Sequence, residues 1–217
     1  MPIFALDKQL YFPPVHLAEP DGLLALGGDL SPERLLLAYR NGIFPWFEEE
    51  TTILWWSPDP RFILLPEELK IRKSMRPLLN NRAFAFTVNK AFSEVVVRCK
   101  QTNRPGQEGT WITQEVERAY IEMHKLGYAH SAEVWSNGQL VGGLYGIRLG
   151  KVFFGESMFS LVSNASRYAF ILYTQQLQKE GVELIDCQIY TEYLESLGAK
   201  MIPRNEFVGL LGKLTGQ

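Results

Sequence analysis

AEVWSNGQLVGGLYGIRLGKVFFGESMF, residues 132–159, decides the fold. Ala132–Trp135, Leu140–Arg148 and Lys151–Phe159 are strand-like runs, rich in β-branched and aromatic residues. Asn137-Gly138 and Leu149-Gly150 interrupt them, and both are hairpin signals, since glycine and asparagine accept the positive φ of a tight turn. The stretch reads as a three-stranded antiparallel meander.

The chain on either side supplies the rest of a layered fold. Upstream, Phe84–Asn89 reads as a short strand, and Phe92, Val95, Val96 and Cys99 recur at helical spacing. Gln101–Thr110 is a polar loop, and Thr113 caps a helix carrying Val116, Ala119, Tyr120 and Met123 as far as Gly127. Downstream come a helix over 165–180, a buried strand Glu183–Tyr190, a short helix over 191–197 ending at Gly198, a strand Lys200–Pro203 and a helix over 204–214. That order predicts a mixed sheet flanked by helices, as in acyltransferase (GNAT-like) folds.

The N-terminal part is built differently. Ser31-Pro32-Glu33 starts a helix with Leu35, Leu36, Ala38 and Tyr39 on its apolar side, and Asn41-Gly42 stops it. Gly22–Gly28 is too glycine-rich to extend that helix, and Ile43–Phe47 and Trp55–Arg61 read as fixed loops. Pro66-Glu67-Glu68 marks a boundary. The expectation is an α+β protein with a small N-terminal domain, 1–66, and a larger GNAT-like domain with a mixed sheet, 67–217.

With 46% hydrophobic and 21% charged residues among 217, the chain is globular rather than disordered or coiled coil. It has no apolar run near the ~20 residues of a spanning helix and no signal-peptide pattern at its start. Cys99 and Cys187 make neither a disulfide framework nor a zinc site, so a reducing cytoplasm is expected and no membrane partner. The net charge of −2 conceals a segregation. Residues 1–69 carry 4 basic and 11 acidic side chains, whereas 70–104 carry 9 basic and 1 acidic. The basic block holds Lys70, Arg72, Lys73, Arg76, Arg82, Lys90, Arg98, Lys100 and Arg104, as a polyanion-binding surface or a solvated face would.

Phosphate-binding glycine motifs and a nucleophile elbow are absent, and His16, His124 and His130 lack metal spacing. The stretch Phe159–Arg167 contains no glycine, so the pyrophosphate of CoA would have no backbone cradle. Polar groups on strands remain. Asp186 and Gln188, two apart in an apolar run, are expected on one face with Cys187 on the other, and Glu156 follows Gly155 at the end of another run. Leu144, Phe153, Met158, Tyr173 and Ile185 are placed to line an apolar pocket, or simply to fill the core. Trp46 and Trp111 stand in contexts where an indole can stack on a nucleobase.

Several longer segments resemble the bacterial leucyl/phenylalanyl-tRNA–protein transferase family: GLLALGGDLSPERLLLAYRNGIFPWF (22–47), LWWSPDPR (54–61), EGTWIT (108–113), LVGGLYG (140–146), GESMFS (155–160), NAS (164–166), IDCQ (185–188) and SLGA (196–199). HS at 130–131 and EVW at 133–135 belong with them. The resemblance implies transfer of Leu, Phe or Met from aminoacyl-tRNA to the N-terminal Arg or Lys of a protein, creating an N-degron, by a monomer without metal, CoA or other cofactor. It implies Asp186, Gln188 and Glu156 around the reacting ester, with Asp186 polarising Gln188. Leu144, Phe153, Gly155, Met158, Tyr173 and Ile185 would form the aminoacyl pocket, closed to β-branched side chains. Trp46 and Trp111 would hold the terminal adenosine, and Arg72, Lys73, Arg76 and Arg82 the tRNA backbone. The likeness weakens after IDCQ, where family members often carry Asn and His and this chain has Thr191 and Leu194.

Overall fold

The computed structural model describes residues 3–48, 51–102 and 110–216. Arg104, most of the expected 101–110 loop and the first two residues of EGTWIT lie outside the described residues. The elements in chain order are β1 (Phe4–Leu6), β2 (Leu23–Gly27), α1 (Pro32–Arg40), β3 (Phe44–Pro45), β4 (Leu54–Trp56), β5 (Arg61–Leu64), α2 (Arg76–Asn80), β6 (Ala85–Val88) and α3 (Phe92–Gln101). There follow α4 (Gln114–Lys125), β7 (Ala129–Ser136), β8 (Gln139–Leu149), β9 (Val152–Ser160), α5 (Ala165–Lys179), β10 (Leu184–Gln188), α6 (Glu192–Glu195), β11 (Lys200–Ile202) and α7 (Arg204–Leu214).

The α+β class and the mixed sheet are as expected. Seven strands run in the order β11-β5-β10-β9-β8-β7-β6, with β10 and β9 parallel across the α5 crossover and every other neighbour antiparallel. The 137–138 turn has φ +50 at Asn137 and +76 at Gly138, the conformation a two-residue hairpin demands. Side chains alternate between the two faces: Val152 and Phe154 join a core with α1, α3, α4 and α7, while Phe153 and Ile185 join a second core with α5. Helix starts follow local chemistry. Ser31 Oγ accepts from Arg34 N at 3.4 Å, and Thr113 Oγ1 from Val116 N at 3.2 Å. At α3 the N-cap Ala91 offers no oxygen, and the fully buried Glu133 of β7 accepts from the backbone N–H of Lys90 and Ala91 instead.

The reading of Ile43–Phe47 and Trp55–Arg61 as loops is corrected. Both contribute strands: Phe44–Pro45 and Leu54–Trp56 build, with Phe4–Leu6 and Leu23–Gly27, a four-stranded sheet of order β1-β2-β4-β3. These strands are two to five residues long and broken by Gly and Pro, too short for a period to show. Arg61–Leu64, on the N-terminal side of the expected boundary, enters the seven-stranded sheet between β10 and β11. The expected strand 183–190 is also shorter: β10 stops at Gln188, and Ile189 and Tyr190 are exposed.

Candidate active site

The site arises where two parallel strands part. β10 pairs with β9 through Leu184–Val152, Ile185–Phe153 and Asp186–Phe154, and no further. Beyond that point β9 continues on β8, and β10 continues on β5 as far as Gln188 opposite Phe62. Each diverging strand carries a bulge there. Gly146 opposes Gly155 and Tyr145 opposes Ser157, which leaves Glu156 as the extra residue of β9. In β10 the shift falls between Asp186 and Gln188, and Gln188 has φ +62. A left-handed conformation costs a non-glycine residue about 1–3 kcal/mol, so its neighbours must enforce it.

Those neighbours are polar and largely buried. Gln188 N donates to Asp186 Oδ1 at 3.0 Å, and Gln188 Nε2 to Glu156 Oε1 at 3.1 Å. Glu156 Oε1 also accepts from Tyr39 Oη at 2.7 Å, and Oε2 from Tyr120 Oη at 2.9 Å, while the two phenol oxygens contact each other. Burial pushes Glu156 up to about 7, against the pull of the Tyr39, Tyr120 and Gln188 hydrogen bonds, and nearby Asp186 adds to the rise. Asp186 has no exposed surface; Arg61 Nε and Nη2 grip its two oxygens at 2.8 and 2.7 Å. The Arg61 guanidinium lies between the Phe44 and Phe207 rings, and its Nη1 donates to Gly42 O at 3.0 Å. Asp186 therefore bonds the backbone of Gln188, and the Gln188 amide turns to Glu156. The expected polarisation of that amide by Asp186 is not the arrangement found, because the bulge re-aims the side chain.

Beside this network opens a cavity of about 380 Å³. Its wall includes Leu144, Phe153, Gly155, Met158 and Ile185, as expected, with Trp46 and Trp111 and with Glu156, Asp186 and Gln188. Tyr173 is not part of the wall; it stands behind Phe153, ring centroids 5.2 Å apart and nearly perpendicular. Cys187, expected on the opposite face, also reaches the wall, since the bulge breaks strand alternation. Among the described residues no cluster of His, Cys, Asp and Glu has the makings of a metal site, and no helix is long and apolar enough to cross a membrane.

The family model described as leucyl/phenylalanyl-tRNA protein transferase matches residues 63–212, and its N-terminal-domain counterpart matches residues 28–59. The chain belongs to this family. It is 57% identical to the leucyl/phenylalanyl-tRNA–protein transferase of Flavobacterium johnsoniae, over 96% of this chain and 99% of that one. It is 53% identical to the enzyme of that name from Syntrophobacter fumaroxidans, over 98% and 91%. A conserved protein of unknown function from Bacteroides thetaiotaomicron shares a TM-score of 0.46 and 18% identity, over 63% of this chain and 53% of that one; so distant a likeness carries no argument.

As a leucyl/phenylalanyl-tRNA–protein transferase family member the chain is an aminoacyltransferase, and several parts of its site were not anticipated from sequence. Tyr39 and Tyr120 read only as apolar helix positions, Arg61 only as part of a loop, and Phe170 and Tyr193 also line the cavity; Thr191 and Leu194, noted as departures from the family pattern, line it too. The expected tRNA-backbone residues Arg72, Lys73, Arg76 and Arg82 are all exposed, and none forms an ion pair among the described residues. Elsewhere in the basic block, Arg98 pairs with Glu94 and Lys100 with Glu117. Burial pushes the Tyr193 hydroxyl up, while Arg167 and Arg72 oppose the rise.

Gly155 separates folding from binding. A Cβ there would meet only Asp186 O at 3.6 Å, whereas at Gly146 it would lie 2.1 Å from Phe154 O and 2.5 Å from the Phe153 ring. Gly155→Ala is expected to keep its Tm and to lower kcat/KM for aminoacyl donor about tenfold by narrowing the cavity. Gly146→Ala is expected to lose about 1–3 kcal/mol of stability. Thermal melts beside single-turnover transfer check both.

Proposed function

We propose that this enzyme moves Leu, Phe or Met from aminoacyl-tRNA to the N-terminal Arg or Lys of a protein, and that the product is an N-degron. The observation that carries the reading is the contact of a largely apolar cavity of about 380 Å³ with the Glu156–Gln188 pair where β9 and β10 part. The aminoacyl side chain enters among Leu144, Phe153, Met158 and Ile185, which suits unbranched-at-β side chains, and the terminal adenine stacks with Trp46 and Trp111. The ester carbonyl then lies beside Glu156 and Gln188.

The chemistry needs an amine. Glu156 takes one proton from the acceptor's α-ammonium, and the freed amine attacks the ester carbonyl. The N–C bond forms, the ester C–O bond breaks, and the departing ribose oxygen takes a second proton from that nitrogen. An aminoacyl ester is already activated, so positioning supplies much of the acceleration. Asp186 and Arg61 act as positioning residues that hold Gln188 in its strained conformation. We read the enzyme as a monomer that works in the cytoplasm, where charged tRNA is made.

The test is transfer from Leu-, Phe-, Met-, Val- and Ile-tRNA to peptides beginning with Arg, Lys or acetylated Arg. Product from the first three donors, on free Arg or Lys alone, is expected. Equal use of Val, or labelling of the blocked peptide, contradicts the reading. Replacing Arg72, Lys73, Arg76 and Arg82 together by Gln is expected to flatten the log K against log salt slope for tRNA by about 3. Transfer from a short aminoacyl-adenosine donor should stay within about twofold, since no phosphate is lost there.

A further inference from the structure

The hydrogens around Glu156 can be counted. Three oxygen–oxygen contacts join Glu156 Oε1 to Tyr39, Tyr39 to Tyr120, and Tyr120 to Glu156 Oε2. Tyr39 comes from α1, Tyr120 from α4 and Glu156 from the bulge of β9, so three separate elements converge on one closed ring. With Glu156 ionised, both hydroxyls donate to the carboxylate, and two hydrogens serve three contacts. With Glu156 protonated, its O–H donates to one phenol, that phenol to the other, and the second back to the carboxyl. Three hydrogens then serve three contacts, and Glu156 keeps both phenols as partners in either form.

We propose that Tyr39 and Tyr120 are positioning residues that let Glu156 pass between its ionised and protonated forms by hydroxyl rotation, so that it accepts the α-ammonium proton without exchanging its hydrogen-bond partners. The proposal rests on the transfer reaction above and deepens it. A base that must rearrange its surroundings on protonation loses the advantage of a preorganised site. Here the surroundings are fixed: Tyr39 and Tyr120 have no exposed surface, and the Tyr120 ring packs edge-on against Tyr145.

The electrostatics agree. Burial, and then the Glu156 charge, push both phenols well above their ordinary range, so each remains a donor throughout. The groups facing Glu156 are Tyr39 from α1, Tyr120 from α4 and Gln188 and Asp186 from β10, with Tyr145 of β8 behind Tyr120 and Arg61 of β5 paired to Asp186. Burial and Asp186 favour the protonated acid, while the two phenols and Gln188 favour the carboxylate. Removing either phenol takes away a donor to the anion, so Glu156 must hold its proton to higher pH.

The experiment is the pH profile of kcat/KM for an Arg-initiated peptide, with wild type, Tyr39→Phe, Tyr120→Phe and Glu156→Gln, beside tRNA binding for each. The free peptide's own α-amine titrates near about 8 and contributes the same limb to every profile. The wild-type enzyme is expected to show a further limb near neutrality. Each Phe variant should move that limb up by about one pH unit and bind tRNA as wild type does. A uniform loss of rate with the limb unmoved assigns the tyrosines to the scaffold and overturns the proposal, as does an unchanged profile. If Glu156→Gln retains the limb, Glu156 is not the proton acceptor and the proposed mechanism itself fails. If Glu156→Gln abolishes the limb while the Phe variants leave it in place, the mechanism stands and only the ring proposal falls.

Discussion

Glu156→Gln is expected to lower the rate of transfer by 10²–10⁴-fold, the usual contribution of a positioned proton acceptor, with tRNA affinity unchanged. The amide keeps the size of the carboxyl group and one accepting oxygen for the phenols, so the cavity and its wall survive. What disappears is the basicity. A loss confined to KM for tRNA would instead make Glu156 a donor-binding group. Stability provides a second readout with a definite sign. Glu156 titrates at about 7 in the folded chain against an ordinary 4.5, so the native state keeps a proton that the unfolded chain sheds. The stability from that difference is present below pH 4.5 and is lost as pH rises through 7. Glutamine does not titrate, so the Tm of the variant relative to wild type is expected to rise between pH 4 and pH 8.

The second large effect concerns Arg61 and Asp186. Either side chain alone, replaced by Ala, leaves a buried charge without its partner and is expected to cost about 3–5 kcal/mol. For a chain of this size that corresponds to a Tm lower by roughly 10 °C. The double variant Arg61→Met/Asp186→Leu removes both charges and is expected to recover much of that stability. Its transfer rate is expected to remain about 100-fold low, because the backbone N–H of Gln188 has lost the acceptor that fixes its left-handed conformation. Denaturant melts and single-turnover rates on the three variants separate the two contributions. Recovery of rate along with stability would show that the ion pair serves folding alone.

These two predictions draw on parts of the molecule that differ in how visibly the sequence announces them. The meander over 132–159, α5 and α7 were legible because long runs repeat at a period of two or 3.6 and end in Asn-Gly or Gly turns. The N-terminal sheet was not, since Phe44–Pro45 and Leu54–Trp56 are held by pairing with distant strands rather than by any local pattern. In the site, Glu156, Asp186 and Gln188 stood out because polar groups interrupt apolar strands. Their bonding could not be read: two bulges re-aim Glu156 and Gln188, and a bulge leaves no mark in a five-residue run. Arg61 was hidden among prolines, although a buried carboxylate such as Asp186 implies a cation somewhere. Tyr39 and Tyr120 fit the apolar faces of their helices, and nothing in one sequence separates a phenol with a polar task from one that only packs.

The most direct test is a crystal structure with a stable phenylalanyl-adenosine in which an amide replaces the ester. The benzyl group is expected to be enclosed by Leu144, Phe153, Met158 and Ile185, the adenine to lie against Trp46 and Trp111, and the carbonyl to lie within reach of Glu156 and Gln188. A ligand bound with its side chain outside that cavity, or with its carbonyl on the far side of β9 from Glu156, would contradict that arrangement.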